Sequence, residues 1–415
     1  MSHTLSGPVL LGLVLFAASL MAAALPFAPP AVAAGPAADA NALSQAAATA
    51  ASLPVFAPVT RHGELVFASG VLPTDLRATS DITAQTTQVL DQLRRRLARA
   101  DTSLARIAAA TVYLANAEDF AAMNAVWATY FPADPPTRTT VIVPLPLSGA
   151  RIQVSAVAAV GSASRTVILP KGWLKPSSPY SYGIRVDDTL FLSGLLSRRG
   201  SDNAIVAGDI TAQTRTVFDN AQAILGEAGF TLADVASARV FITNVADFEA
   251  MNGVYRTYFP QAPPARATVK TGLTGPDYLL EITFVAAKGG ARAAVLTPAA
   301  DGTPGKPNPN LSSAIAVGPR LFLSGMLGIV PGAVPDPVAQ TGEILARLGR
   351  TLSAGGFTWR DVVDSTVYVT DVSYAGAVLR AMQEKTGRPL PAGTLVGSEL
   401  VSADGRVEIM LTAGK

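Results

Sequence analysis

Apolar residues between positions 54 and 161 recur first with the spacing of a strand and then with that of a helix. The stretch Glu64–Gly70 predicts a strand that ends in Ser-Gly. An amphipathic helix follows, since its apolar positions lie three, four or seven residues apart. These positions are Ile82, Val89, Leu93 and Leu97. Asp81 precedes them, where a negative charge is favoured by the helix dipole.

The rest of this segment predicts a strand, a second helix and two closing strands. The strand covers residues 111–114, and the helix begins near Asp119 and ends at Pro132. Its apolar stripe consists of Phe120, Met123, Trp127 and Tyr130. Residues 139–143 are mostly β-branched, which favours a strand. In residues 151–160, successive side chains form two alternating sets, and a strand places these sets on opposite faces of the sheet. The predicted order is ββαβαββ, an α+β unit with both helices on one sheet face.

The same pattern occurs three times. Residues 119–132 and 247–260 are identical at ten of fourteen positions, at an offset of 128, and a fainter copy follows 127 residues later. A repeat of this length is a whole small domain. The predicted repeats are residues 54–161, 170–288 and 309–414, joined by the Pro/Gly-rich linkers 161–179 and 289–310.

The faces that the helices leave uncovered are still apolar in all three repeats. Three sheets can bury these faces against one another, and a closed ring of three is the symmetric solution. We therefore expect a pseudo-threefold ring within one chain, and a monomer in solution.

Residues 1–34 predict a signal peptide. The run from Val9 to Ala24 is apolar and shorter than the roughly 20 residues that a membrane span prefers. Small residues at positions 31–34 suit cleavage, although no Lys or Arg precedes the apolar run. Residues 35–53 would be a flexible leader. The protein is expected to be periplasmic or secreted with no membrane span after cleavage; the alternative is an uncleaved N-terminal anchor.

Composition limits the chemistry. The chain has no cysteine, which excludes thiol nucleophiles, thiolate metal sites and disulfides. It has only two histidines, His3 and His62. The second of them, His62, stands in a turn-like segment before a strand. A net charge of +2 argues against a nucleic-acid surface, and the basic run 94–99 is interpreted as a solvated helix face. We expect no metal and no cofactor.

Two arginines and a glutamate are the strongest candidates for chemistry. Arg138 and Arg266 each follow a Pro-Pro-x sequence that fixes the backbone, and a guanidinium can grip a carboxylate through two hydrogen bonds. Glu281 stands fifteen residues after Arg266, where the first repeat has Gln153. The third repeat has Glu408 but Gly393 in place of the arginine, so the two groups occur within one repeat only in the second.

Two further residue types recur, and their roles stay open. Ser-Gly pairs end a strand in each repeat, as at Ser193-Gly194, and serve either a tight turn or the close approach of a ligand. Asn124 and Asn252 lie among apolar residues of the second helices, where a buried amide and a ligand-facing one fit equally well.

These motifs together resemble the Rid family, also called YjgF or L-PSP endoribonuclease. The resemblance extends over roughly residues 54–414 and is strongest for the first two repeats. It implies a chorismate-mutase-like fold and the homotrimeric arrangement of that family, with ligand clefts between subunits. It also implies hydrolysis of reactive enamines and imines, such as 2-aminoacrylate, to keto acids and ammonia.

The resemblance also implies roles for individual residues. Arg266 and Arg138 would bind the substrate carboxylate, and Glu281 and Glu408 would position water. Tyr180 would line the cleft, as would Ser193, Gly194 and Asn252, with Asn124 the counterpart of Asn252 in the first repeat. The first and third repeats have Phe56 and Leu311 in place of Tyr180.

Two functions follow from this reading. The first is an enamine/imine deaminase that acts mainly at a cleft of the second repeat, with Arg266 and Glu281 as catalytic residues. The second is a non-catalytic module that binds small carboxylates or serves as a scaffold, which the loss of site residues in two repeats favours. A ribonuclease is disfavoured by the near-neutral charge and the lack of a histidine base.

Overall fold

The computed structural model describes residues 55–76 and 81–415. The predicted signal peptide (1–34) and leader (35–53) lie outside these residues. Among the described residues, no helix combines the length and the apolar character that crossing a membrane requires.

The first repeat forms a five-stranded sheet with two helices. Its elements are β1 (Val59–His62), β2 (Leu65–Val71), α1 (Ile82–Ala98), β3 (Ile107–Leu114), α2 (Phe120–Tyr130), β4 (Thr137–Ile142) and β5 (Ile152–Ala159). The strand order is β1-β2-β5-β3-β4, with β3 and β4 parallel and the other pairs antiparallel. Asp81 caps α1, since its side chain accepts a 2.9 Å hydrogen bond from the Ala84 N–H.

The second and third repeats follow the same order. The second contains β6 (Arg165–Ile168), β7 (Gly183–Val186), β8 (Thr189–Leu192), α3 (Ile210–Glu227), β9 (Val235–Ile242), α4 (Phe248–Tyr258), β10 (Ala265–Lys270) and β11 (Leu280–Ala287). The third contains β12 (Arg292–Val295), β13 (Ala314–Val317), β14 (Arg320–Leu327), α5 (Pro337–Ala354), β15 (Val362–Val369), α6 (Ala375–Thr386), β16 (Ala392–Gly397), β17 (Glu399–Leu400) and β18 (Val407–Gly414). The predicted ββαβαββ order and α+β class are confirmed.

The two predicted linkers take part in the sheets. Each contains a short strand, β6 or β12, that pairs antiparallel with the first hairpin of the following repeat. These strands cover a sheet edge that would otherwise expose unpaired backbone groups. These four-residue strands lie within the predicted linkers 161–179 and 289–310.

Helices and sheet of each repeat enclose a separate apolar core. A further cluster is made of side chains from the opposite sheet faces of all three repeats. Tyr113, Phe241 and Tyr368 stand at equivalent positions in this cluster and are fully buried. The three uncovered faces are thus buried against one another, as the sequence predicted.

The contacts between repeats run in one direction around a ring. β4 packs against β8 of the second repeat, β10 against β14 of the third, and β16 against β2 of the first. Because the third contact returns to the first repeat, one chain closes the ring that three separate subunits would otherwise form. Each contact creates a cleft between neighbouring repeats.

Candidate functional site

Three clefts lie at these contacts, and each takes residues from two repeats. The first cleft lies between β4 and β8, the second between β10 and β14, and the third between β16 and β2. The residue at the arginine position comes from one repeat, while the glutamate position and the Ser-Gly pair come from the next.

The Ser-Gly pair fastens the first cleft. Ser193 Oγ accepts a 2.9 Å hydrogen bond from the Arg138 N–H and donates a 2.7 Å hydrogen bond to the Ser181 carbonyl. The Gly194 N–H donates to the Arg138 carbonyl at 3.1 Å. The backbone of Arg138 is therefore fixed by the neighbouring repeat.

The same arrangement occurs in the other two clefts. We call it the serine clamp: a serine Oγ that accepts the backbone N–H at the arginine position of the neighbouring repeat. Ser324 Oγ accepts from the Arg266 N–H at 2.7 Å, and Ser69 Oγ accepts from the Gly393 N–H at 2.9 Å. Both hydroxyls also donate to a carbonyl of their own repeat. Since the hydroxyl proton is committed in every cleft, including the one without an arginine, the serines hold the repeats together. This favours the fold-related alternative for Ser193 over direct ligand binding.

Arg138 is a buried cation with spare hydrogen-bonding capacity. Its side chain is 5% exposed, and its Nη1 atom has no hydrogen-bond partner among the described residues. The guanidinium stands over two aromatic rings, 5.4 Å from the centroid of Trp127 and 5.7 Å from that of Phe120. Burial lowers the pKa of Arg138 to about 10, which still leaves it charged at neutral pH. A desolvated guanidinium of this kind suits an anionic ligand group.

Glu281 faces Arg138 from the second repeat. Its carboxyl is 3% exposed, and its Oε1 accepts a 3.3 Å hydrogen bond from the Thr140 N–H. Burial raises the pKa of Glu281 to about 8, while the Thr140 hydrogen bond and the charge of Arg138 oppose that rise. No direct ion pair joins these two described side chains, although their charges interact. The carboxyl packs so closely on Gly194 that a Cβ there would overlap Oε1.

Tyr180 and Asn124 complete the first cleft. Burial raises the pKa of Tyr180, whose ring lies within electrostatic range of Arg138 and Glu281. The Oδ1 atom of Asn124 is buried without a hydrogen-bond partner among the described residues. The first cleft therefore combines an arginine, a largely protonated carboxyl at pH 7, a phenol and an unsatisfied amide oxygen.

The second cleft repeats the charged pair in another setting. Arg266 Nη2 donates a 2.8 Å hydrogen bond to Asn252 Oδ1, and its guanidinium stands 4.5 Å from the Tyr255 ring centroid. Burial raises the pKa of Glu408 to about 8, and the charge of Arg266 opposes that rise. The counterpart of Tyr180 is Leu311, because the residue after each donates its N–H to an equivalent proline carbonyl.

The third cleft has neither charge. Gly393 occupies the arginine position, Gln153 the glutamate position and Phe56 the tyrosine position. The Phe56 ring lies so close to Gly393 that a Cβ at that position would overlap it. The third cleft is closed where the other two carry a guanidinium.

The structure brings the predicted residues together in a different combination. Arg266 and Glu281 lie in different clefts, so the prediction that they serve one site was wrong. Arg138 and Asn124 of the first repeat join Tyr180, Ser193, Gly194 and Glu281 of the second. Asn252 lies with Arg266 and Glu408. The resemblance implied clefts between units but left open which repeats pair; the structure pairs the arginine of one repeat with the glutamate of the next.

Glu408 was predicted to position water but was not paired with an arginine. Glu408 is in a repeat without an arginine, but its partner Arg266 comes from the preceding repeat. The order of the repeats could have indicated this pairing, if each arginine is matched with the glutamate position of the following repeat and the first repeat is taken to follow the third. The Thr140 N–H contact to Glu281 had no sequence signal, because a backbone donor carries no residue signature.

Comparison with known proteins places the chain in a family. The family profile described as Endoribonuclease L-PSP matches residues 46–160, 172–288 and 304–415. The 3-aminoacrylate deaminase RutC of Acinetobacter baylyi is 39% identical over 122 residues, which is 29% of this chain and 97% of that protein. A RutC family protein of Sulfurisphaera tokodaii is 45% identical over 115 residues, covering 28% of this chain and 92% of the relative.

A solved structure is also similar to part of this chain. The crystal structure of E. coli TdcF with bound serine is 28% identical, covers 30% of this chain and 99% of that chain, and has a TM-score of 0.28. Each of these relatives is about as long as one repeat. The chain belongs to the endoribonuclease L-PSP family, also called the Rid or YjgF family, and contains three tandem copies of its domain.

Proposed function

We propose that the protein is an enamine/imine deaminase that hydrolyses small carboxylate-bearing imines to keto acids and ammonia. One observation carries the proposal. In the first cleft, a buried Arg138 with an unpartnered Nη1 faces the desolvated carboxyl of Glu281 without forming an ion pair. The second cleft, with Arg266 and Glu408, supports the same reaction.

Arg138 would bind the substrate carboxylate. Each charge-assisted hydrogen bond contributes about 1.5–3 kcal/mol, and two parallel bonds also fix the orientation of the ligand. The aromatic rings of Trp127 and Phe120 hold the guanidinium in place beneath the ligand. The substrate's reactive carbon atoms would then lie on the side of Glu281.

Glu281 would move protons. With a pKa of about 8, its carboxyl is mostly protonated at pH 7 and can donate a proton to the terminal carbon of an enamine, giving the iminium. The resulting carboxylate takes a proton from water as the water oxygen bonds to the iminium carbon. The carbinolamine then transfers its hydroxyl proton through Glu281 to the amine, the C–N bond breaks, and ammonia and the keto acid leave. Glu281 ends in its starting protonation state.

The relatives support this substrate class. The RutC relative is named for 3-aminoacrylate, a small enamine with a carboxylate. Such compounds already hydrolyse in water, so a site that binds the carboxylate and positions one acid provides the required acceleration. The natural substrate of this chain is proposed to share the carboxylate and the enamine or imine nitrogen.

The test is release of ammonia and of the carbonyl product above the spontaneous rate, the product being a keto acid from 2-aminoacrylate and an aldehyde acid from 3-aminoacrylate. The purified protein is compared with Arg138→Ala, Arg266→Ala and the double variant. Arg94→Ala is the matched control, since this helix arginine is 60% exposed. We expect the double variant to lose all acceleration while the control keeps it. Full activity in the double variant would overturn the proposal.

A second candidate, a carboxylate-binding scaffold, is favoured by the closed third cleft. There, the clamp from Ser69 to Gly393 persists although the charged pair is gone. The scaffold would be supported if pyruvate bound saturably to the wild type and not to Arg138→Ala, with no hydrolysis of either aminoacrylate.

We further propose that the chain is a monomer in solution, because each repeat already meets both of its neighbours within the ring. Light scattering on the purified protein measures this directly. A mass of three chains would contradict it.

A further inference from the structure

A partly open cavity lies where the sheet faces of the three repeats meet, and it is called the axial cavity here. Its volume is about 120 Å³, and all three repeats line it. None of the four charged residues of the clefts (Arg138, Glu281, Arg266 and Glu408) belongs to its lining. The axial cavity is thus separate from the first and second clefts.

Three charged residues break the threefold pattern of this lining. Arg320 on β14 stands where β2 has Leu65 and β8 has Thr189, and it forms an ion pair with Asp188 at 3.0 Å. Arg239 on β9 stands where β3 has Thr111 and β15 has Thr366. Asp364 on β15 stands where β9 has Ser237 and β3 has Ala109. Because Arg320 is paired with Asp188, Arg239 and Asp364 are the cation and the acid of the lining that lack an ion-pair partner among the described residues. Apart from His62, the rest of the lining consists of hydroxyl and apolar groups.

These two charges do not neutralise each other by contact. Arg239 Nη2 donates a 2.9 Å hydrogen bond to Thr111 Oγ1. Its charge interacts with Asp364, but no direct ion pair joins these two described residues. Burial raises the pKa of Asp364 to about 6, so the carboxyl is mostly ionised at pH 7. Two opposite charges that are buried but held apart lose their hydration without gaining the full attraction of an ion pair.

The charges select the class of ligand. A lone anion on Arg239 would be repelled by Asp364, and a lone cation on Asp364 would be repelled by Arg239. A molecule that carries a carboxylate and an ammonium group complements both and keeps the cavity neutral. We propose that the axial cavity binds a small zwitterion, an α-amino acid with a short side chain, with its carboxylate on Arg239 and its ammonium group on Asp364.

Size limits the side chain of this ligand. One water molecule needs roughly 10–15 Å³ of such space, so the cavity accommodates several non-hydrogen atoms. Three phenylalanines, one from each repeat, also line the cavity and favour a short apolar side chain; they are Phe67, Phe191 and Phe322. Glycine and L-alanine are therefore the probes of choice.

Arg239 also connects the axial cavity with the first cleft. Its positive charge contributes to keeping the pKa of Glu281 from rising further. A carboxylate bound to Arg239 would offset that charge and make Glu281 more basic. The other titratable groups that face Arg239 are Tyr113, Tyr368 and Asp364.

The experiment is calorimetric titration of glycine and L-alanine into the Arg138→Ala/Arg266→Ala variant. Because both cleft arginines are removed, the outcome does not depend on the proposed hydrolysis. We expect one binding event per chain, weakened at least tenfold by adding Arg239→Thr or Asp364→Ser. Acetate and methylamine, each with one of the two charges, should bind at least tenfold more weakly than glycine.

The added substitutions are matched to the chain itself. Arg239→Thr introduces the residue found at positions 111 and 366, and Asp364→Ser the residue found at position 237. If either variant fails to fold, as judged by its melting transition, the other still tests the site. No binding of glycine or L-alanine, equal binding after both substitutions, or equal binding of acetate would each overturn the proposal, since a cavity holding only water gives the first result.

Discussion

The first and third clefts have the same backbone hydrogen bond to a serine but different side chains at the arginine and glutamate positions. In both, a serine hydroxyl accepts the N–H at the arginine position at 2.9 Å, from Arg138 to Ser193 and from Gly393 to Ser69. The arginine and glutamate of the first cleft are replaced in the third, where the Phe56 ring closes the space. The comparison shows that the ring is held by the serine clamps and does not need the charged pair.

The first and second clefts differ more subtly. Both have a buried arginine facing a glutamate whose pKa is raised to about 8. In the second cleft, Arg266 Nη2 is bound to Asn252, while Arg266 Nε and Nη1 have no partner among the described residues. In the first, Arg138 Nη1 and Asn124 Oδ1 have no partner among the described residues. Both clefts thus leave polar groups for a ligand, and they differ in the link from arginine to asparagine and in Tyr180, which the second cleft replaces with Leu311.

Glu281→Gln should produce the largest loss. It places in the first cleft the residue that the third cleft has at position 153, and it removes the proton donor while keeping the size of the side chain. In an Arg266→Ala background, where only the first cleft acts, we expect kcat to fall by about 100-fold to 10,000-fold, the range of general acid–base catalysis. Pyruvate affinity should change little.

The matched control is Glu408→Gln in the same background, which alters only the disabled second cleft and should leave kcat unchanged. Equal losses from both substitutions would show that the clefts are not independent. In this background, the wild-type Glu281 should also give a rate that declines as pH rises through about 8, because the protonated form is lost.

The pH dependence of stability separates the charged clefts from the third. A carboxyl with a raised pKa in the folded state binds its proton more tightly there than in the unfolded chain. Between the unfolded pKa near 4.5 and the folded pKa of about 8, the native state carries the extra protons, so the free energy of unfolding falls as pH rises through this window. At about 1.36 kcal/mol per unit, the effect is of the order of a few kcal/mol for each glutamate.

Urea unfolding at pH 5 and pH 9 measures this difference. Glu281→Gln and Glu408→Gln should each lose less stability between the two pH values than the wild type. The reverse substitution, Gln153→Glu, should lose more, because the third cleft offers the new carboxyl no arginine. A pH dependence identical in all four proteins would refute the assignment of the raised pKa values to these residues.

The sequence predicted the repeated unit and the ring well because both depend on local periodicity and on buried apolar faces. Helical spacing in Ile82–Ala98 and strand alternation near Gln153 were enough to order the elements. The site was harder, since its residues meet across the contact between repeats. Residues 138 and 281 are far apart in the chain, and only the direction of packing around the ring decides that Glu281 meets Arg138 and not Arg266.

The charges in the axial cavity illustrate the same limit. Arg239 and Asp364 appear in the sequence as strand residues with no motif around them. Their proximity arises only when β9 and β15 face each other across the axial cavity. A pattern within one repeat indicates which face a residue occupies, whereas its partner on that face comes from another repeat.

The two asparagines test how the arginines are held. Asn252→Ala removes the buried acceptor of Arg266 Nη2 and leaves that donor unsatisfied, which should lower the free energy of unfolding by about 1–3 kcal/mol. Asn124→Ala removes an oxygen without a partner among the described residues, and its cost should be less than half of that. Thermal or urea unfolding of the two variants decides this, and a larger loss from Asn124→Ala would contradict the contrast between the clefts.

Tyr180 is the smallest predicted contributor, and exchanging it with its counterpart refines the comparison. Tyr180→Phe keeps the ring and removes one hydroxyl, so KM at the first cleft should rise by about three- to tenfold, the equivalent of one neutral hydrogen bond. Leu311→Tyr, made in an Arg138→Ala background, should lower KM at the second cleft by a similar factor. If Tyr180→Phe has no effect while Tyr180→Leu weakens binding, the ring surface and not the hydroxyl distinguishes the first cleft. Since Phe56 already supplies such a ring to the third cleft, that result would leave the arginine and the glutamate as the groups that separate a working cleft from a closed one.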